Sequence, residues 1–182
     1  MYPAAAMNVR LARDEDAPAI AAIYRPYVEG SRISFEESPP DAGEIARRMR
    51  SPIHPWLVIE VGGQVTGYAS TSPMRDRAAY RWSVETGIYI APEMQGHGSG
   101  KQLLAAHIET LKRQGFVTIV AGIALPNDAS VALHEKMGFT LSGIERGIGY
   151  KLGQWIDVGR WQRDLAPRSD MPAGPLSVSA LE

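Results

Sequence analysis

The stretch Gln95-Gly96-His97-Gly98-Ser99-Gly100 decides the fold, because it joins an apolar strand that ends at Ile90 to an amphipathic helix. That helix carries its apolar face from Leu103 to Leu111 and ends at Gly115. Glycines let the main chain approach a ligand, and the free N–H groups at a helix N-terminus favour anionic oxygens. The stretch therefore predicts a phosphate-binding turn, with an ordinary strand-to-helix connection as the alternative.

The spacing of this turn excludes two common phosphate-binding motifs. A P-loop needs glycine where Gln95 stands and a hydroxyl residue where Gln102 follows Gly100-Lys101. A dinucleotide fingerprint that begins at Gly96 needs a third glycine at position 101, which is Lys101. The turn thus fits neither a nucleoside triphosphate site nor a Rossmann site.

Composition narrows the functional class further. The chain has 182 residues, a net charge of -1 and no cysteine. These values fit one domain, argue against a global basic surface for nucleic acid, and exclude thiolate metal sites and thiol nucleophiles. The sequence has no apolar run of about 20 residues and no signal peptide at its start, so we expect a cytoplasmic protein with no membrane contact and no metal.

The periodicity along the chain predicts a mixed α/β (α+β) domain. A short strand and two helices precede a hairpin at Gly62-Gly63, and a strand from Val84 to Ile90 leads into the glycine turn. A helix, a strand, another helix and two strands around a loop at Gly147–Gly153 follow. We expect flexible ends at residues 1–6 and 166–182 and a single domain from 7 to 165.

A second motif lies downstream of the turn. Asn127, Ser130 and His134 are spaced three and four residues apart, so they share one face of a helix that ends before Gly138-Phe139. Taken singly, Asn127 is most simply a helix cap and His134 an ordinary helical residue. Taken with the turn, the three indicate one ligand site.

Together the two motifs resemble those of the GNAT superfamily of acetyltransferases, whose Arg/Gln-x-x-Gly-x-Gly/Ala turn matches Gln95, Gly98 and Gly100. The resemblance implies a GNAT fold, in which about four helices flank a mixed, mostly antiparallel sheet of about six to seven strands. It also implies acetyl-CoA as co-substrate, with Lys101 and Lys136 as the nearest cations, although solvated lysines are the alternative. The residues expected to bind it are Ile88, Tyr89, Ile90, Gln95, Gly96, His97, Gly98, Ser99, Gly100, Lys101, Asn127, Ser130 and Lys136.

From Val9 to Leu165 the chain resembles a narrower group, the phosphinothricin acetyltransferases and the methionine sulfoximine or sulfone and L-amino-acid N-acyltransferases. Segments such as Ala79-Tyr80-Arg81-Trp82 and Asp157-Val158-Gly159-Arg160-Trp161-Gln162 carry this likeness. It implies transfer of acetyl to the α-amine of a small amino acid, and a homodimer with the active site near the interface. The residues expected to bind that substrate are Phe35, Arg75, Arg77, Tyr80, Glu85, Thr86 and Gly87.

The same resemblance makes Glu85 and His134 the candidate catalytic residues. An α-amine is mostly protonated at neutral pH, so direct attack on a thioester needs a base, and Glu85 is our candidate, with a structural ion pair to a nearby arginine as the alternative. Main-chain N–H groups of Ile88 to Ile90 are candidate oxyanion donors if the strand splays from its neighbour. His134 is open to three roles: acid toward the leaving thiolate, partner of the base, or orienter of water.

Two other functions remain open at this level. The first is a protein or peptide N-acetyltransferase, which would need an open groove rather than the compact Arg75, Arg77 and Tyr80 cluster. The second is a non-catalytic acyl-CoA-binding module, which the presence of both Glu85 and His134 disfavours.

Overall fold

The computed structural model describes residues 6–181 of the chain. Within these residues the strands are β1 (Met7–Leu11), β2 (Leu57–Val61), β3 (Gln64–Pro73), β4 (Ser83–Ile90), β5 (Thr118–Ala124), β6 (Thr140–Lys151) and β7 (Gln154–Asp164). The α-helices are α1 (Ala17–Gly30), α2 (Ala42–Met49), α3 (Ser99–Gln114) and α4 (Asp128–Lys136). None of these helices is both long enough and apolar enough to cross a membrane.

The strands form one 7-stranded sheet in the order β1-β2-β3-β4-β5-β7-β6. Every neighbouring pair is antiparallel except β4 and β5, which are parallel and joined by α3 as a crossover. The parallel pairing stops at Thr86 and Ala121, although both strands continue beyond it. The predicted mixed, mostly antiparallel sheet with four α-helices is confirmed, and the sheet opens at its centre.

Local sequence explains where these elements begin and end. Asp41 accepts a hydrogen bond from the N–H of Glu44 at 2.8 Å and so caps the N-terminus of α2. Gly62 and Gly63 adopt φ angles of 60° and 80°, which permits a two-residue hairpin turn between β2 and β3. Gly115, with φ of 90°, ends α3 as the sequence predicts.

Helices cover both faces of the sheet. On one face, Ile20 of α1 and Ile45 of α2 pack with Val58 and Tyr68 of the sheet. On the other face, α3 buries Leu104, Ile108 and Leu111 in a cluster that includes Trp161 of β7. The sheet is thus anchored on both sides, which holds the opened ends of β4 and β5 in place.

The C-terminal hairpin differs from the predicted loop at Gly147–Gly153. β6 continues to Lys151, and the turn is only Leu152-Gly153, because Gly147 is absorbed in a bulge of the strand. Gly147 has φ of 55° and donates its N–H to Asp157 Oδ1 at 2.7 Å. An aspartate on the opposite strand thus stabilises the irregularity within β6.

Both predicted flexible ends fall only partly within these residues. Residues 1–5 and residue 182 lie outside the described range. The segment after Leu165 contacts the end of α3, where the Leu176 N–H donates to Gln114 O at 2.8 Å. It also contacts Trp82, whose Nε1 donates to Ala173 O at 2.7 Å. These contacts join the segment to the domain surface.

Candidate active site

The splay between β4 and β5 opens a first cavity of about 560 Å³. Its walls are the ends of the two strands, the glycine turn and one face of α4. The predicted cofactor-binding residues that line it are Ile88, Tyr89, Ile90, Gln95, Gly96, Gly98, Gly100, Lys101, Asn127, Ser130 and Lys136. The fold therefore brings the two sequence motifs to one place.

The glycine turn forms a concave main-chain surface at the N-terminus of α3. Gly96 and Gly98 have φ angles of 77° and 87°, which an L side chain rarely adopts. A Cβ on Gly100 would lie 3.3 Å from Leu133 of α4, so glycine there lets α4 approach the turn. No side chain caps α3, so its first N–H groups are left without a side-chain acceptor beside the cavity, an arrangement that suits an anion.

Two predicted residues of the turn do not line the first cavity with their side chains. His97 is exposed, and Ser99 is buried with its Oγ 3.9 Å from Met7 Sδ of β1. A contact of His97 or Ser99 with the cofactor therefore stays a prediction.

Asn127 and His134 lie on the face of α4 that borders the first cavity. Asn127 Oδ1 accepts the Ser130 N–H at 3.2 Å, so it caps α4 and lines the cavity at once. His134 is 4% exposed, and its Nδ1 lies 2.8 Å from Ser130 O. A carbonyl oxygen only accepts, so Nδ1 carries the proton and Nε2 is left as an acceptor.

The surroundings of His134 favour its neutral form. Burial lowers the pKa of its imidazole, and the hydrogen bond to Ser130 O opposes this only in part. Phe139 packs edge-on against the ring with centroids 5.0 Å apart. A neutral imidazole with a free Nε2 can accept a proton or hold a water but has none to give from that nitrogen.

The free edge of β4 provides main-chain donors. Successive N–H groups along a strand point to opposite edges, and the Ala91 N–H points to β3, where it donates to Thr66 O at 2.8 Å. The N–H groups of Ile88 and Ile90 therefore point to the other edge, beyond the end of pairing with β5. The predicted oxyanion donors thus have the required direction at two of the three positions.

Tyr27 of α1 is a site residue that the sequence did not single out. It lines the first cavity, donates its hydroxyl hydrogen to Ile90 O, and accepts a hydrogen bond from Gln95 Nε2 at 2.7 Å. Tyr27 therefore ties the end of β4 to the glycine turn. The sequence does not indicate this contact, because Tyr27 also fits the apolar face of an amphipathic helix that packs on the sheet.

A second cavity, of about 550 Å³, lies against the first. Thr86, Gly87, Tyr89 and Gly122 line both cavities, whereas Glu85 lines only the second. Its aromatic walls include Tyr24, Trp56 and Tyr68, which form a chain of ring contacts with Tyr89 at centroid distances of 4.8 to 5.5 Å. The two cavities meet where the pairing of β4 with β5 ends.

Charges at the far end of the second cavity are paired. Arg48 Nη1 lies 2.7 Å from Glu36 Oε1, and Arg48 Nε lies 2.8 Å from Glu44 Oε1. The Arg48 hydrogen bond holds the pKa of Glu36 below its usual value. With two carboxylates on one guanidinium, this end of the cavity does not attract a further anion.

Glu85 forms an ion pair with an arginine other than those expected near it. Its Oε1 lies 2.6 Å from Nη1 of Arg160 on β7, and the Glu85 side chain is 31% exposed. Arg160 Nε lies 2.9 Å from Glu145 Oε2 on β6. Glu85 thus forms an ion pair, though with Arg160 and not with a nearby arginine as the alternative reading had it, and the same carboxylate borders the second cavity.

The predicted substrate arginines lie outside both cavities. Arg75, Arg77 and Tyr80 occupy the exposed connection between β3 and β4, and Arg75 donates to Met74 O at 3.0 Å. Phe35 is 43% exposed and packs on Gly149 of β6, where any Cβ would collide with its ring. Among the predicted substrate residues, Glu85, Thr86 and Gly87 reach the cavities and the other four do not, and the substrate-binding role of all seven stays a prediction.

Comparison with known proteins agrees with this architecture. A family model described as an acetyltransferase (GNAT) domain matches residues 9–159. Phosphinothricin N-acetyltransferase of Streptomyces viridochromogenes is 39% identical over 94% of this chain and 93% of its own. L-methionine sulfoximine/L-methionine sulfone acetyltransferase of Pseudomonas aeruginosa is 34% identical over 91% of this chain and 98% of its own.

A solved structure also matches closely. It is a GNAT superfamily phosphinothricin acetyltransferase from Sinorhizobium meliloti in complex with acetyl-CoA, with a TM-score of 0.87 and 36% identity over 92% of this chain and 93% of its own. The splayed sheet, the glycine turn and these matches lead to one conclusion: the chain belongs to the GNAT acetyltransferase family.

Proposed function

We propose that this acetyltransferase transfers the acetyl group of acetyl-CoA to the primary α-amine of a small amino acid or analogue, of the phosphinothricin or methionine sulfoximine and sulfone type. One observation carries the proposal. Two cavities meet at Thr86, Gly87 and Gly122, one bordered by the phosphate-binding turn and the other by a carboxylate. An acyl donor and an amine can therefore approach one another from separate sides.

The first cavity suits acetyl-CoA. The turn from Gln95 to Gly100 would hold the pyrophosphate on main-chain N–H groups, and Asn127 and Ser130 border the path from the turn toward the end of β4. Lys101 and Lys136 line the cavity and are the cations available for a further phosphate. The bound co-substrate supplies an activated thioester carbonyl, which the free N–H groups of Ile88 and Ile90 are placed to polarise.

Glu85 is the proposed base for direct attack. The α-ammonium of the acceptor gives a proton to the Glu85 carboxylate, directly or through water, and the neutral nitrogen then forms the C–N bond as the C–S bond breaks. The thiolate that leaves takes up a proton from solvent or the substrate. The neutral state of His134, with Nε2 free to accept, supports a role in holding water or assisting the base over a role as acid.

We further propose a cytoplasmic homodimer. The edge strand β6 and its turn into β7 expose a patch of large apolar side chains, each between 42% and 71% exposed: Leu141, Ile144, Ile148, Tyr150, Leu152 and Trp155. A concentration of exposed apolar side chains on one hairpin is typical of a protein interface. A partner on this patch would lie beside the end of the sheet that carries Glu145 and Arg160.

An assay that measures the release of the free CoA thiol tests the substrate class. The purified protein is given acetyl-CoA with phosphinothricin, methionine sulfoximine, methionine sulfone, the free amino acids, and peptides with free N-termini or lysines. We expect turnover with the small α-amino acids and none above background with peptides. Efficient acetylation of peptides would instead support a protein acetyltransferase, and binding of acetyl-CoA without turnover of any amine would support a non-catalytic module.

A further inference from the structure

We propose that Arg160 is a positioning residue that holds the Glu85 carboxylate, and that Gly122 provides the opening through which the two side chains meet. This inference rests on the proposed role of Glu85 as base. The proposal assigns roles to Arg160 and Gly122, for which the sequence motifs give none.

The two residues meet across an intervening strand. Glu85 of β4 pairs with Val120 of β5, and Arg160 of β7 pairs with Gly122 of the same β5 strand. The Arg160 guanidinium therefore reaches over β5 to place Nη1 2.6 Å from Glu85 Oε1. A contact that spans three strands fixes the carboxylate with respect to the sheet, not only with respect to its own strand.

Gly122 is needed for space. A Cβ at this position would lie 2.7 Å from Arg160 Nη1 and 2.9 Å from Glu85 Oε1, closer than real Cβ contacts. Its φ angle lies outside the left-handed region, so backbone conformation does not require glycine there. A side chain at position 122 would displace the ends of these two flexible side chains from their present positions.

Glu145 completes the arrangement. Its Oε2 accepts from Arg160 Nε at 2.9 Å, so the guanidinium is held by two carboxylates in directions that its planar geometry fixes. Within residues 6–181, Oε2 of Glu85 has no hydrogen-bond partner, which leaves it for the amine. The side chains of Glu85, Arg160 and Glu145 are 31%, 25% and 36% exposed, so this pair adds little stability and its effect is on orientation.

The first experiment compares Arg160→Met, Arg160→Lys and the matched control Arg163→Met. Arg163 is on the same strand, but it donates to Met137 O at the end of α4. We expect Arg160→Met to lower kcat by about tenfold, with an unchanged Kd for acetyl-CoA and an unchanged melting temperature. Arg160→Lys should recover part of kcat, and Arg163→Met should retain it. Wild-type kcat in Arg160→Met, or a loss equal to that of Arg163→Met, would overturn the proposal.

A double-mutant cycle separates this inference from the proposed base. In a Glu85→Gln background, Arg160→Met should cause no further loss of kcat, because its target is gone. A full additional tenfold loss there would contradict positioning through Glu85. If Glu85→Gln itself leaves kcat unchanged, the base proposal fails, whereas a loss in Glu85→Gln with none in Arg160→Met removes only Arg160.

Gly122→Ala tests the opening. We expect a loss of kcat similar to that of Arg160→Met. The double variant should lose no more kcat than either single variant, because each change breaks the same contact. Multiplied losses would show that Gly122 acts independently of Arg160 and would remove it from the proposal.

Discussion

His107 of α3 and Thr71 of β3 share a hydrogen bond of 2.7 Å between Nε2 and Oγ1 in the interior of the protein. His107 is fully buried, and its Nδ1 has no partner within the described residues. Burial lowers the pKa of His107 to about 3. The folded protein therefore holds this imidazole neutral beside the wall of the second cavity that Thr71 forms.

The first prediction is a loss of stability on mild acidification. The folded pKa of His107 lies below the unfolded value of about 6.5, so its contribution is complete above that pH and is lost as the pH falls toward 3. Between pH 7 and pH 5, His107 alone is expected to lower the free energy of unfolding by about 2 kcal/mol. Burial lowers the pKa of His134 and His54 in the same direction.

Urea unfolding at several pH values checks this prediction. The decrease between pH 7 and pH 5 should be clearly smaller in His107→Gln than in the wild type, whatever the variant's stability at pH 7. His97→Gln is the matched control, because His97 is exposed, and it should keep the wild-type slope. The same slope in all three proteins would contradict the account of His107.

The second prediction concerns the glycine turn. Gly98→Ala places a side chain at φ of 87°, which costs about 1 to 2 kcal/mol and moves the N–H groups at the start of α3. We expect the Kd for acetyl-CoA, measured by calorimetry, to rise about tenfold or more. Gly63→Ala is the matched control, because Gly63 has a similar φ of 80° in a hairpin away from both cavities.

The outcome depends on the contrast between these two glycine variants. Both should unfold at lower temperature, but only Gly98→Ala should bind acetyl-CoA more weakly. Equal affinity in Gly98→Ala and the wild type would mean that the turn does not hold the pyrophosphate.

The sequence predicted the elements around the site better than their contacts. Local sequence patterns were sufficient to predict the turn from Gln95 to Gly100 and the hairpin at Gly62-Gly63, because both depend on residues that are neighbours in the chain. The pairing of Glu85 with Arg160 depends on the order of strands in the sheet, which the sequence pattern does not specify. For the same reason the arginines near Glu85 in the sequence do not predict that its partner in the structure is Arg160.

The placement of Arg75 and Arg77, the arginines predicted to bind the substrate, shows a related difficulty. Arg75 and Arg77 precede the strand that carries Glu85, yet the connection turns outward and leaves both exposed. A charged loop gives no periodic signal that distinguishes a cavity entrance from a solvated surface. The sequence likewise predicts a loop at Gly147, because the bulge there is stabilised by Asp157 on the opposite strand, which a local pattern does not show.

The third prediction is that the exposed patch on β6 and β7 forms a dimer interface. Ile148 is 55% exposed within this patch, and a charge there would be desolvated in the interface. Size-exclusion chromatography with light scattering should therefore give a dimer for the wild type and a monomer for Ile148→Glu. Met171→Glu is the control, because Met171 is 91% exposed but lies in the C-terminal segment outside the patch. A monomeric wild type would remove the dimer from the proposal.

The central claim is that Glu85 takes the proton of the acceptor amine, and Glu85→Gln tests it most directly. The amide keeps the size of the side chain and its place in the wall of the second cavity but cannot accept the proton. With methionine sulfoximine or phosphinothricin as acceptor, we expect kcat to fall by about two orders of magnitude or more while the Kd for acetyl-CoA is unchanged. Near-normal turnover of the pure variant would contradict the claim.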